Sequence, residues 1–142
     1  MNKIALASDH AGYEYKQLVR SYLENQSFEI LDFGTDSDDS VDYPVYIKPA
    51  AQAVATEKVD LGIIFGGSGN GEAMVANKFP GIRCAVVWDL RSAELAKKHN
   101  NPNMLSLGQR LIDKDQLLPI IQMWLDSVFE EGRHRKRIDM ID

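Results

Sequence analysis

A chain of 142 residues is long enough to bury a hydrophobic core in one domain without disulfides or a structural metal. Its net charge of -5 argues against general nucleic-acid binding, and no apolar run is long enough to span a bilayer. The single cysteine, Cys84, cannot form an internal disulfide and favours a reducing compartment. We therefore expect a cytoplasmic protein without a signal peptide and without nucleic-acid or membrane partners.

Apolar runs alternate with segments of helical periodicity along the chain. The first strand is predicted over Lys3–Ser8 and the first helix over residues 13–24. Further strands are predicted at 28–33, 61–65, 83–87 and 104–107, and further helices at about 45–56, 71–78, 90–100 and 114–129. This alternation indicates an α/β protein, a Rossmann-like three-layer α/β/α sandwich with a five-stranded parallel sheet. We expect one domain over residues 1–142, with the basic C-terminal tail included.

Ligands of such sheets bind beyond the carboxyl ends of the strands, so the loops at that edge are expected to hold the site. The loops begin at Ser8, Phe33, Phe65, Val87 and Leu107. The acidic segment 35–42 reads as a solvated loop, and Tyr43 directly after it could close over the site.

The glycine-rich segment 66–72, GGSGNGE, joins an apolar strand to a predicted helix. Its glycines let the backbone approach a ligand and point N–H groups at an anion. Glu72 breaks both the dinucleotide fingerprint and the Walker A motif, which argues against a nucleotide. A carboxylate beside such a loop suits removal of a proton next to a carbonyl, with the N–H groups holding the oxyanion. The alternative is that Glu72 only favours the helix N-terminus through the helix dipole.

Other polar residues stand at predicted element ends. Asp9 and His10 follow the first strand, where they could contact a ligand or cap a helix. His99 and Asn100 end the fourth predicted helix, where a histidine can also serve as a favourable C-terminal cation. The three histidines lack metal-ligand spacing, so neither a metal nor another cofactor is expected.

The basic tail, residues 133–137, contains two arginines four positions apart. If the tail is helical, Arg133 and Arg137 share one face, and two guanidinium groups on one face suit a phosphate. The alternative is a solvated chain end. His134, between them, carries no distinguishing signal of its own.

Taken in order, these motifs resemble ribose-5-phosphate isomerase B and the related galactose-6-phosphate isomerase subunits over essentially the whole chain. The matching segments are 4–12, 33–35, 42–44, 66–72, 76–78, 81–83, 99–101, 108–110 and 132–137. One branch of this family uses a cysteine of the glycine loop as base, and another has serine there and a glutamate slightly later. Ser68 and Glu72 make the chain similar to the glutamate branch, and Cys84 reads as a core residue.

The resemblance implies an aldose-ketose isomerase of carbohydrate metabolism that interconverts ribose 5-phosphate and ribulose 5-phosphate through ring opening and a cis-enediolate. It assigns the base to Glu72, proton handling near O1 and O2 to Ser68, and ring opening to His99 helped by Asp9. The substrate-binding residues that it implies are His10, Tyr43, Gly67, Gly69, Asn70, Gly71, Asn100, Arg110, Arg133 and Arg137. Of these, His10, Arg133 and Arg137 would bind the phosphate.

The resemblance also implies a homodimer, or a dimer of such dimers, with His99, Asn100 and Arg110 supplied to each site by the second subunit. Two alternatives stay open. One is an isomerase of a six-carbon sugar phosphate, such as allose or galactose 6-phosphate, because pocket depth accommodates the extra carbon. The other is a Rossmann-like module that binds a phosphorylated ligand without turnover. Glu72 and His99 favour an enzyme, since a carboxylate would repel the ligand of a passive phosphate binder.

Overall fold

The computed structural model describes residues 2–142, and a five-stranded, all-parallel sheet lies at its centre. The strands are β1 (Lys3–Ser8), β2 (Glu29–Asp32), β3 (Leu61–Gly66), β4 (Cys84–Val86) and β5 (Met104–Gly108). They lie in the order β2-β1-β3-β5-β4. The chain therefore winds outward from β1 in one direction and then in the other, which opens a crevice at the carboxyl ends of β1 and β3. The predicted Rossmann-like parallel sheet is confirmed.

Six α-helices cover the two faces of the sheet. They are α1 (Tyr13–Asn25), α2 (Tyr43–Ala55), α3 (Asn70–Ala76), α4 (Leu90–Leu95), α5 (Lys114–Asp126) and α6 (Arg133–Ile138). Helix α4 continues as a π-helical turn over Ala96–Asn100. Within residues 2–142, none of the helices combines the length and the apolar composition needed to cross a bilayer.

Alternating side chains of the strands build a core on each face of the sheet, as the period of two in a strand requires. Ile4 and Leu6 pack into a cluster with apolar residues of α1, α4 and α5, whereas Ala5 and Ala7 pack into a second cluster with α2 and α3. Both clusters are almost fully buried. Packing on both faces of the sheet fixes the relative positions of the loops that follow the carboxyl ends of the strands.

Several predicted boundaries shift by a few residues. Helix α2 begins at Tyr43 rather than Val45, because Pro44 fits the first turn of a helix, where its missing N–H costs nothing. Helix α5 ends at Asp126, three residues before the predicted end. The basic tail forms α6, so Arg133 and Arg137 do lie on one short helix.

Candidate active site

The carboxyl group of Glu72 lies at the end of β3. Glu72 stands in the first turn of α3, and its carboxyl group fills the space beside Gly66 that a side chain there would need. Only 4% of the residue is exposed. Burial raises the pKa of this carboxyl group, a hydrogen bond to its own backbone N–H partly opposes the rise, and the nearby charge of Asp9 adds to it. A carboxylate with a raised pKa is a stronger base, which suits it to proton abstraction.

Asp9 is the second buried carboxylate of this crevice and is 8% exposed. It caps the short 3-10 turn His10–Gly12, where its side chain accepts a hydrogen bond from the Gly12 N–H at 3.1 Å. The helix-cap reading is therefore correct, but it is incomplete, because Asp9 also acts electrostatically on Glu72. Two carboxylates share one partly desolvated space.

His10 is half-buried and is held by the acidic loop. Its Nδ1 accepts a hydrogen bond from the Val41 N–H at 3.1 Å. This contact selects the tautomer that carries its proton on Nε2, so that Nε2–H is the ring's donor. The loop that was expected to be merely solvated is thus also the support that orients His10.

The glycine loop is shaped by two residues of β5. The hydroxyl of Ser106 donates a hydrogen bond to the Gly69 carbonyl at 2.7 Å, and Gly69 has a φ of 83°. Gly108 leaves room for the loop, since a Cβ there would lie 2.5 Å from the backbone oxygen of Ser68. The Ser68 side chain is exposed, and its Oγ accepts a hydrogen bond from the Asn70 N–H at 3.2 Å. Ser106 was missed from the sequence, where a hydroxyl inside the apolar strand MLSLG was its only signal.

Two long side chains lie over the same loop. A Cβ on Gly71 would lie 2.7 Å from the Tyr43 hydroxyl, and a Cβ on Gly67 would lie 2.9 Å from Nη1 of Arg110. The structure therefore brings most of the predicted site residues together at the carboxyl edge of the sheet. We call this set the carboxyl-edge group: Asp9, His10, Tyr43, Gly67, Ser68, Gly69, Asn70, Gly71, Glu72 and Arg110.

The remaining predicted residues lie at the opposite edge of the sheet. His99 and Asn100 are in the π-helical turn, just before β5 begins at Met104, and the amino ends of parallel strands share one edge. Helix α6 packs on this turn, with the ring of His134 stacked on that of His99. We call the second set the amino-edge group: His99, Asn100, Arg133 and Arg137. No hydrogen bond or ion pair within residues 2–142 joins the two groups.

This division differs from the one that the resemblance implied. Arg110 was grouped with His99 and Asn100, yet it lies against the glycine loop of its own chain because it comes two residues after the end of β5. Arg133 and Arg137 were grouped with His10, yet they lie on α6, which packs on the turn that carries His99 through the stacked ring of His134. Both arginines are exposed.

Cys84 lies in the edge strand β4, half-buried against the second core cluster. Burial raises the pKa of its thiol to about 12, so the thiolate is scarce at neutral pH. The strand backbone at Cys84 is paired with a side chain: the Asn77 amide donates to the Cys84 carbonyl at 3.0 Å and accepts from its N–H at 2.8 Å. Nothing at this position activates a nucleophile.

One cluster in the described part of the chain has the composition of a metal site. Ligand atoms of His99, Glu130 and His134 lie within 4.8 Å of one another. The two imidazole planes are nearly parallel, at 14°, with ring centroids 4.5 Å apart. Nitrogen lone pairs lie in the ring planes, so those of stacked rings do not converge on one ion. In this arrangement the cluster does not fit a metal.

Comparison with known proteins gives consistent results. A family model described as ribose/galactose isomerase matches residues 4–141. The ribose-5-phosphate isomerase B of Escherichia coli strain K12 is 39% identical over 141 residues, which are 99% of this chain and 95% of that protein. A ribose 5-phosphate isomerase of Thermotoga maritima superposes with a TM-score of 0.95 at 42% identity, covering 99% of this chain and 97% of the other. The Mycoplasma genitalium ribose-5-phosphate isomerase B, solved with bound ribulose-5-phosphate, has a TM-score of 0.93 at 36% identity and coverage of 98% and 93%.

Proposed function

The chain belongs to the ribose/galactose isomerase family, and from that premise we propose that it interconverts ribose 5-phosphate and ribulose 5-phosphate. The observation that carries the proposal is the buried Glu72 carboxylate, which lies against Gly66 in the helix turn directly after the glycine loop. The names of its relatives, and the ribulose-5-phosphate bound to the Mycoplasma genitalium protein, support a pentose phosphate as the substrate.

The proton transfer is assigned to Glu72. The carboxylate takes the proton from C2 of the open-chain aldose and returns it to C1, and the reverse direction uses the same group. The negative charge that develops on oxygen in the enediolate is assigned to the backbone N–H groups of the glycine loop, residues 67–71, of which the Asn70 N–H also donates to Ser68 Oγ. We assign the transfer of a proton between O1 and O2 to the hydroxyl of Ser68, whose side chain is exposed.

Ring opening must come first, because a furanose has no carbonyl and its C2 proton is not acidic. It needs a base that takes the proton of the anomeric hydroxyl and an acid that protonates the ring oxygen as the bond breaks. We assign these steps to Asp9 and His99. Asn100, next to His99, supplies an amide that can donate to the enediolate oxygens.

The phosphate is assigned to His10, Arg133 and Arg137. The Nε2–H of His10 is its available donor, since Nδ1 is occupied by Val41. The two guanidinium groups form no ion pair within residues 2–142, in contrast to Arg135, which pairs with Glu131 at 3.1 Å. Energy from binding the phosphate can orient C2 against the base.

The assigned residues lie at two edges of one sheet, so a complete site requires a second copy of the chain. In a two-fold dimer the amino-edge group of one chain meets the carboxyl-edge group of its partner, and the symmetry makes two identical sites. Exposed apolar side chains near the glycine loop support such an interface: Met74 is 67% and Leu111 63% exposed. We infer a homodimer with shared sites.

The proposed function is tested by measuring turnover on a panel of pentose and hexose phosphates. We expect conversion of ribose 5-phosphate, accompanied by exchange of the C1 proton of ribulose 5-phosphate with solvent deuterium. The Glu72→Gln variant is the control that should lose both. A folded wild-type protein that converts neither pentose phosphate would contradict the proposal, and a preference for allose 6-phosphate would move the substrate to the six-carbon class.

A further inference from the structure

Three side chains outside the carboxyl-edge group form a compact unit around His99. The ring of His134 stacks on the ring of His99 with centroids 4.5 Å apart and planes 14° from parallel. Oε1 of Glu130 lies 3.4 Å from Nε2 of His134 and 3.9 Å from Nε2 of His99. The carboxylate thus faces the same nitrogen of both rings.

Within this unit His134 is buried and Glu130 is held by a backbone hydrogen bond, whereas His99 is partly exposed. His134 is 8% exposed, and its Nε2 has no hydrogen-bond partner within residues 2–142. Glu130 is anchored through its backbone, whose N–H donates to the Lys98 carbonyl at 3.0 Å. The side chain of His99 is 40% exposed and so remains accessible to a ligand.

The basic side chains near Glu130 pair with other carboxylates, so the ion pairs of Glu130 are those with the two histidines. Lys98 pairs with Glu94 at 3.1 Å, and Arg135 pairs with Glu131. Among the ion pairs of residues 2–142, those of Glu130 are made with His99 and His134 alone. A carboxylate at the edge of an imidazole orients the ring and stabilises the imidazolium that forms when the ring takes up a proton.

We propose that Glu130 and His134 are positioning residues for His99 in ring opening, an inference that rests on the proposed function. His134 fixes the plane of the His99 ring by stacking, and Glu130, whose Oε1 lies 3.9 Å from Nε2 of His99, compensates the positive charge of the protonated ring. His99 needs this support because it must deliver a proton to one particular oxygen of the furanose. A half-exposed side chain without such neighbours would not be held in one orientation.

The placement of His134 on α6 also links two tasks. The helix that carries Arg133 and Arg137, the proposed phosphate ligands, carries the ring that supports His99. Docking α6 on the π-helical turn therefore sets the distance between the phosphate ligands and the group that opens the ring.

The test separates ring opening from proton transfer on the same protein. Ribulose 5-phosphate cannot close to a furanose, because its O5 carries the phosphate, so exchange of its C1 proton in deuterated water needs Glu72 but no ring opening. Conversion of ribose 5-phosphate starts from the closed ring and needs both. The variants are Glu130→Gln and His134→Ala, with Glu131→Gln as a matched control. Its carboxylate is exposed and, among residues 2–142, forms an ion pair only with Arg135.

We expect Glu130→Gln and His134→Ala to lower conversion of saturating ribose 5-phosphate about tenfold or more. C1 exchange at saturating ribulose 5-phosphate should stay within about twofold of wild type in Glu130→Gln. His134→Ala also loosens the docking of α6 and should raise KM for both substrates, so its two rates are compared at saturation, where conversion should fall much more than exchange. Glu131→Gln should leave both rates unchanged. His134→Phe keeps a stacking ring and should recover part of the conversion lost in His134→Ala.

Parallel loss of conversion and exchange would overturn the inference, since it would assign the cluster a general structural or phosphate-binding role. Unchanged conversion in Glu130→Gln would overturn it as well. If His134→Ala fails to fold, the Glu130→Gln result alone decides. A wild-type protein without either activity would instead refute the proposed function, and the inference with it.

Discussion

The Glu72 carboxyl group fills the volume in which a side chain on residue 66 would lie, and the absence of a side chain on Gly66 makes that position possible. Gly66 is the last residue of β3, and Glu72 is in the first turn of α3. The glycine at the end of the strand is therefore part of the machinery that buries the base, although it offers no functional group.

Replacing Gly66 by alanine should displace the base. The added methyl group collides with the Glu72 carboxyl group, which is buried and has little room to move. We therefore expect kcat to fall by about a hundredfold, as expected for the loss of a general base. The matched variant is Gly67→Ala, whose methyl group meets the flexible guanidinium of Arg110. That variant should mainly raise KM. Steady-state kinetics on both variants make the comparison, and equal kcat losses would contradict the role of Gly66.

Glu72→Gln should separate activity from stability. We expect turnover to fall by about a hundredfold or more while binding of a phosphate ligand persists. Burial raises the pKa of Glu72 above its unfolded value, so the stability that this group contributes is present at low pH and is lost as pH rises through the folded pKa. Thermal unfolding should therefore show the variant at least as stable as wild type at pH 8, with a smaller difference at pH 5. Turnover within threefold of wild type would exclude Glu72 as the base.

Asp9→Asn should shift the pH dependence of proton transfer. The charge of Asp9 contributes to the raised pKa of Glu72, so its removal lowers that pKa and moves the acidic limb of C1 exchange to lower pH. Asparagine is also a good helix cap, so the turn that begins at Asp9 should persist. Because C1 exchange needs no ring opening, the shift does not include the loss of Asp9 from that step. An unmoved limb would show that the two carboxylates do not interact.

Cys84→Ser should stay active. With its thiol pKa raised to about 12 by burial, Cys84 offers little thiolate at neutral pH, and thiol-modifying reagents should inactivate wild type only slowly. Measured turnover of the variant and a time course with such a reagent check this. Loss of activity in a folded Cys84→Ser protein would contradict the interpretation of Cys84 as a core residue without a catalytic role.

Mixing two inactive variants should restore activity if sites are shared. Glu72→Gln and His99→Ala are each expected to be severely impaired as pure dimers on ribose 5-phosphate. Random exchange of subunits makes about half the dimers mixed, and each mixed dimer has one intact and one doubly damaged site, so activity should recover to roughly a quarter of wild type. Native mass spectrometry should confirm that mixed dimers form. Their presence without recovery would place Glu72 and His99 in one chain.

The sequence predicts the scaffold well because each strand is a short apolar run with a turn or helix signal after it. β1 begins and ends at the predicted residues. Helix ends were less accurate, since Pro44 can stand either before a helix or in its first turn. The π-helical turn at 96–100 has no local signal that distinguishes it from an α-helix.

The site is harder to predict because its grouping depends on tertiary docking. A motif shows that Arg110 or Arg137 belongs to a site, but not which edge of the sheet it reaches. Arg110 reaches the carboxyl edge because it follows the end of β5, and Arg137 reaches the amino edge because His134 packs α6 there. Ser106 and Glu130 were missed for the same reason: a serine in a strand and a surface glutamate acquire meaning only from the Gly69 carbonyl and the stacked rings beside them.

The hydrogen bonds between the Asn77 side chain and the Cys84 backbone affect the tendency of the protein to aggregate. β4 ends the sheet, and an edge strand with free N–H and C=O groups can recruit a strand from another molecule. At Cys84 both groups are already bonded to one side-chain amide, which imitates a neighbouring strand without offering an edge of its own. Strand addition, which seeds fibrous aggregates, is thereby blocked at this point of the β4 edge.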